Sequence, residues 1–271
     1  MSDDYEVKRT IWDGKIPVEF ALDPSEFSYR STQSHFMMVP RVSYFTLVLM
    51  KALKHFESSI DELNDSDEIK DAWLEFNGIP LRMHYPIGVL FDVHSKDGVL
   101  PWVVTVRFKN FPDTLVRCTT IDTMRHYFLQ TVKEADQLKH KGAIMSAMSA
   151  QEHAQLFDSI RRDDFNDFWQ VNKKLNENTD PKVIHIPIRF YYADLPFRQV
   201  LISTEPNPES ETAADLSSAF KKVFPNLSID EYNLISHGIH VPTDSPVLWL
   251  SSNFAYPDNF VHVVVRPKND D

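Results

Sequence analysis

The sequence predicts an α+β fold, two ubiquitin-like (β-grasp) domains flanking a helix-rich domain, and three observations predict it. An order of two strands, a helix, a strand, a short helical piece and a closing strand occurs twice. The middle of the chain has helical apolar spacing and no strand pattern. With 42% apolar and 12% aromatic residues among 271, the chain can bury more than one core. The repeated order is that of a grasp, in which a helix packs across one face of a mixed sheet. On this reading residues 1–14 are a lead-in helix and 15–118 the first ubiquitin-like domain. Residues 119–180 are the helix-rich domain, and 181–271 the second ubiquitin-like domain.

In the first repeat, Lys15 to Leu22 and His35 to Val39 have strand content, the second running into Pro40. Ser43 is the expected cap of a helix with Tyr44, Leu47, Val48, Leu53 and Phe56 apolar, and with Lys51, Lys54 and His55 in its later turns. Asp61 to Lys70 is an acidic connection. Trp73 to Phe76 reads as a strand turned by Asn77-Gly78. HYPIGVLFD at 84–92 is a proline-marked loop, with a short helical piece starting at Pro86, and WVVTVRF at 102–108 closes the repeat.

The second repeat matches it. Ile184 to Tyr191 and Phe197 to Ile202 are strands joined by a link with Asp194 and Pro196. Thr212 and Asp215 begin a helix through Leu216, Ala219, Phe220 and Val223, ended by Pro225. Tyr232 to Ile235 is turned by His237-Gly238-Ile239, the counterpart of Asn77-Gly78-Ile79. Ser245 to Trp249 begins a short helix, and Phe260 to Arg266 is the last strand. Between the repeats, Ile121, Met124, Phe128, Val132, Ala135 and Leu138 make one helix face. Ser149 and Glu152 form a capping box. Asp164 starts a further helix whose face of Phe165, Phe168, Trp169 and Leu175 needs burial, expected against both sheets.

The composition excludes several functions. Net charge −11 argues against nucleic acid as a partner, since phosphate binding wants a basic surface. The single cysteine, Cys118, excludes an internal disulfide and suits a reducing cytosol. No run approaches the roughly 20 apolar residues of a membrane span, and the acidic start MSDDYEVKR is unlike a signal peptide. Six glycines against seventeen prolines assemble no phosphate loop or dinucleotide fingerprint, and no cofactor is expected.

Catalytic motifs are absent: there is no H-E-x-x-H and no G-x-S-x-G. His237, His240 and His262 approach one another in the last sheet without metal-ligand spacing, so no metal is assigned. Cys118 is a nucleophile candidate because Arg117 beside it favours thiolate, although it lacks a histidine and acid context. Arg161-Arg162 is a candidate contact for anionic lipid, diluted by Asp163-Asp164. Trp12, in the lead-in, is the tryptophan placed to meet a partner. Lys133 lies off the apolar stripe of its helix, about 100° round from Val132, and points to solvent.

PRVSY at 40–44, HYPIGVLFD at 84–92, KEADQLKHK at 133–141, HGI at 237–239 and YPDNFVH at 256–262 resemble the autophagy protein 5 family. The likeness runs in order over nearly the whole chain. It implies the two ubiquitin-like domains and helical middle found above. It also implies an autophagy scaffold, no enzyme by itself, that accepts the ubiquitin-like modifier autophagy protein 12 through an isopeptide bond. The acceptor that the resemblance implies is Lys133, which begins the K-E-A-D string; spacing alone does not rank it above Lys139 and Lys141. A lysine of ordinary pKa near ~10.4 is almost wholly protonated at neutral pH, so help with deprotonation must come from a docked conjugating enzyme.

By the same resemblance the conjugate joins the N-terminal helix of autophagy protein 16. It then promotes ligase-like transfer of autophagy protein 8 to phosphatidylethanolamine, with autophagy protein 10 and autophagy protein 3 as the conjugating enzymes. The location implied is cytoplasmic, peripheral on preautophagosomal membranes. Trp12, Ile16, Pro86 and Gly88 are the candidates for the helical partner's groove. Two other readings compete: a constitutive non-covalent binding module for a helical partner, and an enzyme using Cys118.

Overall fold

The computed structural model describes residues 4–26, 33–56, 72–176, 182–193, 195–205 and 213–268. The acidic connection 61–70, Asp194, the segment 207–212 and the expected helix start at Thr212 lie outside the described residues. The first elements are α1 (Tyr5–Asp13), β1 (Lys15–Leu22), β2 (His35–Pro40), α2 (Phe45–His55), β3 (Trp73–Phe76), β4 (Ile79–Pro80), α3 (Ile87–His94) and β5 (Trp102–Arg107). Four helices follow: α4 (Ile121–His140), α5 (Ala143–Ala147), α6 (Ala150–Arg162) and α7 (Phe165–Asn176). The chain continues as β6 (His185–Tyr192), β7 (Arg198–Ser203), α8 (Leu216–Val223), β8 (Tyr232–Ser236), β9 (Ile239–His240), α9 (Val247–Asn253) and β10 (Val261–Pro267). Two compact units result, Gly14–Tyr127 and Met1–Asp13 with Phe128–Asp271.

The two sheets have one topology. Their strand orders are β2-β1-β5-β3-β4 and β7-β6-β10-β8-β9, and in each the first and last strands of the repeat run parallel at the centre. In the first unit, alternation in KIPVEFAL turns Ile16, Val18, Phe20 and Leu22 inward, all buried. Register sets Val18, Phe20 and Leu22 opposite Trp102, Val104 and Val106, and α2 lays Phe45, Val48, Leu49 and Ala52 across them. Each fully buried side chain of this size is worth roughly 1.5–3 kcal/mol, so the alternation decides which face is core. The second unit repeats the plan with Ile186, Ile188 and Phe190 beside Val261 and Val263, under Leu216, Ala219 and Phe220.

The repeat extends to the turns. Asn77 and Gly78 have φ of 50° and 80°, and His237 and Gly238 have 53° and 79°. Two successive left-handed residues make the tight hairpin turn that matches strand twist, which is why glycine holds the second place in both. An isolated bridge joins Tyr44 to Pro86 and its counterpart joins Asp215 to Pro246, so a proline precedes the short helix in each unit.

Some expectations need correction. Tyr44, not Ser43, is the N-cap of α2 and gives no side-chain cap; the Ser43 carbonyl accepts from Ile87 N–H at 2.8 Å. The short helical piece expected from Pro86 does form, as α3, and it runs past the loop's end at Asp92 to His94, with Pro86 as its N-cap and Ile87, Val89 and Leu90 buried. The short helix α5 was not expected; it begins after Lys141 and Gly142, both at positive φ. The aromatic face of α7 meets α1 rather than a sheet. Trp12 stands 5.8 Å from Phe165 and 5.0 Å from Phe168 between ring centres, and Tyr5 5.5 Å from Phe165.

Along β6 and β10 nearly every residue is buried, the mark of a sheet covered on both faces. One face carries the core under α8. The other carries Arg189, Tyr191 and His262, and α4 reaches it through Glu134.

Candidate functional site

On α4 the apolar stripe places Met124, Phe128, Val132 and Ala135 inside and leaves Lys133 exposed. The two carboxylates of its motif are engaged elsewhere. Glu134 reaches Arg189 of β6 at 3.1 Å. Asp136 is fully buried: one oxygen is 3.0 Å from His140 Nδ1 and the other accepts from Met145 N–H at 2.8 Å. Asp136 thereby ties the end of α4 to α5 across the left-handed turn.

The two rival lysines differ sharply. Lys141, just past the helix, is exposed. Lys139 is fully buried, its Nζ donating to the Leu175 carbonyl at 3.3 Å and to Asn176 Oδ1 at 3.1 Å. Burial pushes its pKa down to about 8, while Asp136 and Asp258 pull it back up.

Lys139 belongs to a buried polar cluster in which two of the recognised strings meet. Asn176 Nδ2 donates to Asn259 Oδ1 at 2.9 Å, and Asn259 Nδ2 to Asn172 Oδ1 at 2.9 Å. Asp258 holds His262 Nε2 at 2.9 Å, and His262 Nδ1 lies 2.8 Å from the Tyr191 hydroxyl. Burial alone would raise the Asp258 carboxyl; His262, Arg189 and the Phe260 N–H outweigh it and hold it below its ordinary value. Groups this polar stay inside only because each finds a partner. The sequence signals were the polar residues Asp258, Asn259 and His262 set between apolar ones, and Asn172 and Asn176 one turn apart on α7.

A stability measurement checks the Lys139 account. Between about 8 and the ordinary 10.5, the unfolded lysine holds a proton that the folded one has lost. Stability contributed by this group therefore rises with pH across that window. The wild type should gain up to roughly 3 kcal/mol over Lys139→Met between pH 7.5 and 10.5 in denaturant melts. A difference that stays constant with pH would refute it.

Three family models match the chain in order. They are Autophagy protein ATG5, UblA domain, over residues 11–108; the alpha-helical bundle region over 121–178; and the UblB domain over 185–265. Autophagy protein 5 of Drosophila melanogaster is 33% identical over 279 residues, covering 99% of this chain and 100% of that protein. Autophagy-related protein 5 of Caenorhabditis elegans is 36% identical over 276 residues, covering 97% and 98%.

The chain belongs to the autophagy protein 5 family.

The crystal structure of Kluyveromyces marxianus Atg5 has the same fold, with a TM-score of 0.84 at 20% identity over 96% of this chain and 99% of that one. Family membership supports a role in autophagy.

The other candidate residues of this autophagy protein 5 family member divide by burial. Trp12, expected in an exposed lead-in, is buried against α7 because its ring completes the aromatic cluster there. Ile16 is a core residue of the first sheet. Pro86 and Gly88 are buried at the start of α3, where Gly88 N–H donates to the Arg41 carbonyl at 2.8 Å. None of the four offers an open side chain for a helical partner.

Arg161 and Arg162 are exposed at the end of α6. Arg161 lies 3.7 Å from Asp158, and Arg162 is paired with Asp167, so these carboxylates too dilute the basic pair. Asp163 instead caps α6 at φ 58°, and Asp164 accepts from Asp167 N–H at 3.0 Å to open α7. Exposed pairs of this kind hold arginines only weakly.

Cys118 is buried, its Sγ 3.4 Å from Met124 Sδ, and burial pushes its thiol up. A thiolate is thereby disfavoured, in keeping with a buried, inert cysteine, and Arg117 lies over the Phe111 ring at 4.4 Å. His237 Nε2 donates to the Phe254 carbonyl at 2.9 Å, and its ring is stacked 3.9 Å from Tyr256. His262 is held by Asp258 and Tyr191, and among the described residues no three His, Cys, Asp or Glu side chains group to hold a metal ion. Among the described residues, no helix is long and apolar enough to cross a membrane.

Proposed function

We propose that this protein is an autophagy scaffold whose Lys133 accepts the C-terminus of autophagy protein 12. The observation that carries the reading is the contrast along one helix: Lys133 exposed with its neighbouring carboxylates drawn elsewhere, Lys139 sealed in the core. A nucleophilic amine has to reach a thioester held by another protein, so exposure is a condition that Lys139 fails.

In the reaction, the Lys133 amine attacks the carbonyl of the modifier's thioester. The new C–N bond forms, the C–S bond breaks, and the conjugating enzyme's cysteine leaves as thiolate. The amine proton passes to a base supplied by that enzyme, autophagy protein 10. With autophagy protein 16 bound, the conjugate promotes transfer of autophagy protein 8 from autophagy protein 3 to phosphatidylethanolamine. This ligase-like action belongs to the assembly and not to this chain alone. Cytoplasmic location with peripheral contact to preautophagosomal membranes completes the reading, and Arg161 and Arg162 are the lipid-facing groups we assign.

The test maps the adduct. Wild-type protein is incubated with the modifier and its activating and conjugating enzymes, then digested and sequenced by mass spectrometry. Branched peptides at Lys133 are expected. Branches at Lys141 would move the acceptor, and the absence of any branch with active enzymes would favour a non-covalent binding module.

A further inference from the structure

Arg189 is a nearly buried cation on β6, held on every side. Its guanidinium lies 3.5 Å from the centre of the Phe260 ring and 4.7 Å from that of Phe197. Nε donates to Gln199 Oε1 at 2.9 Å across the β6–β7 pair, and the register sets it beside His262 of β10. The remaining arm reaches Glu134 on α4 at 3.1 Å. Lysine could not do all of this, because only a planar fork stacks on a ring and donates in two directions. The charged groups around it are Glu134 from α4 and Asp258 from the loop before β10.

We propose that Arg189 is a positioning residue for the acceptor amine, drawing the Glu134 carboxylate away from Lys133 and onto the second sheet. The inference rests on Lys133 being the acceptor. Glu134 is next to Lys133 in the chain, about 100° round the helix, so its carboxylate reaches the amine's surroundings when it is released. A free carboxylate there favours the ammonium and lowers the share of reactive amine. Bound to Arg189, its charge is neutralised on the side of the helix that faces the sheet. The same contact anchors α4 one residue from the nucleophile.

The experiment follows single-turnover transfer of the modifier from its preformed conjugating-enzyme thioester to full-length protein between pH 6.5 and 9, corrected for thioester hydrolysis. Arg189→Gln should slow transfer roughly two- to fourfold at pH 7, the effect of one unscreened carboxylate about 7 Å away. The deficit should stay constant over this range, all of it below the ordinary lysine value, and disappear when Glu134→Gln is added. Glu134→Gln alone should stay within about twofold of wild type, its charge being already neutralised.

Because Arg189 is buried, Glu134→Asp provides the variant that spares the core. It keeps the charge but is one methylene too short for Arg189, and it should reproduce the deficit. Wild-type rates in both Arg189→Gln and Glu134→Asp would overturn the proposal. So would a loss unrelieved by Glu134→Gln, which is what a purely structural role predicts. Failure of the acceptor reading shows separately, as undiminished transfer to Lys133→Arg.

Discussion

Lys133→Arg should form no isopeptide adduct, with transfer falling at least about 100-fold in the reconstituted reaction. Arginine keeps the positive charge and most of the length, but its guanidinium stays protonated and is no nucleophile. The side chain is exposed, so the substitution should shift stability by no more than about 0.5 kcal/mol. Loss of adduct would therefore report chemistry rather than folding. The nearby lysines do not rescue it. Lys139 Nζ is inside the core, bonded to Asn176 and the Leu175 carbonyl. Lys141 is exposed but lies roughly 12 Å farther along the helix axis, outside the reach of a thioester docked for Lys133. Lys141→Arg should accordingly keep at least half of wild-type transfer. Adduct in Lys133→Arg at the wild-type level, measured by gel shift with matched enzymes, would sink the assignment.

Asp258→Ala should destabilise the fold by roughly 3–5 kcal/mol, the cost of leaving buried partners of a charge uncompensated. The carboxylate holds His262, accepts from Phe260 N–H at 3.1 Å and offsets the charges of Lys139 and Arg189. Its pKa is depressed in the folded state, so its contribution is complete above the unfolded carboxylate value and is lost as pH falls through the folded one. Denaturant melts at pH 7 and in the acid range measure both effects. The gap between wild type and Asp258→Ala should be full at pH 7 and narrow in acid. A gap below about 1 kcal/mol at pH 7 would mean that the cluster relaxes around the loss.

Most of the fold was legible because its cause is local. Alternation in KIPVEFAL, three-and-four spacing from Met124 to Ala135, the Ser149–Glu152 box and the paired Asn77-Gly78 and His237-Gly238 turns act through neighbours a few residues apart. The same locality made the repeat visible and put Lys133 off the apolar stripe. Misreadings came where a distant segment decided. Ser43 is not the cap because Tyr44, bridged to Pro86, stays extended and the helix starts after it, and Trp12 looked like an open lead-in residue because its cover, Phe165 and Phe168, lies more than 150 residues away.

Sequence alone determined the two grasp domains, the helical middle and the motif holding three lysines, since periodicity and turn chemistry act within one element. Only the tertiary structure decided that a lysine stays inside. Helical spacing puts Lys139, seven residues after Val132 and four after Ala135, on the buried face and Lys133 off it, but nothing within that helix supplies partners for a buried amine. Burial comes from Leu175 and Asn176 of α7 and from the Asp258–Asn259 loop, brought there by packing of the helices on the second sheet. A charge can stay inside only where such distant groups supply its hydrogen bonds and counter-charge, and that supply is a property of the folded chain.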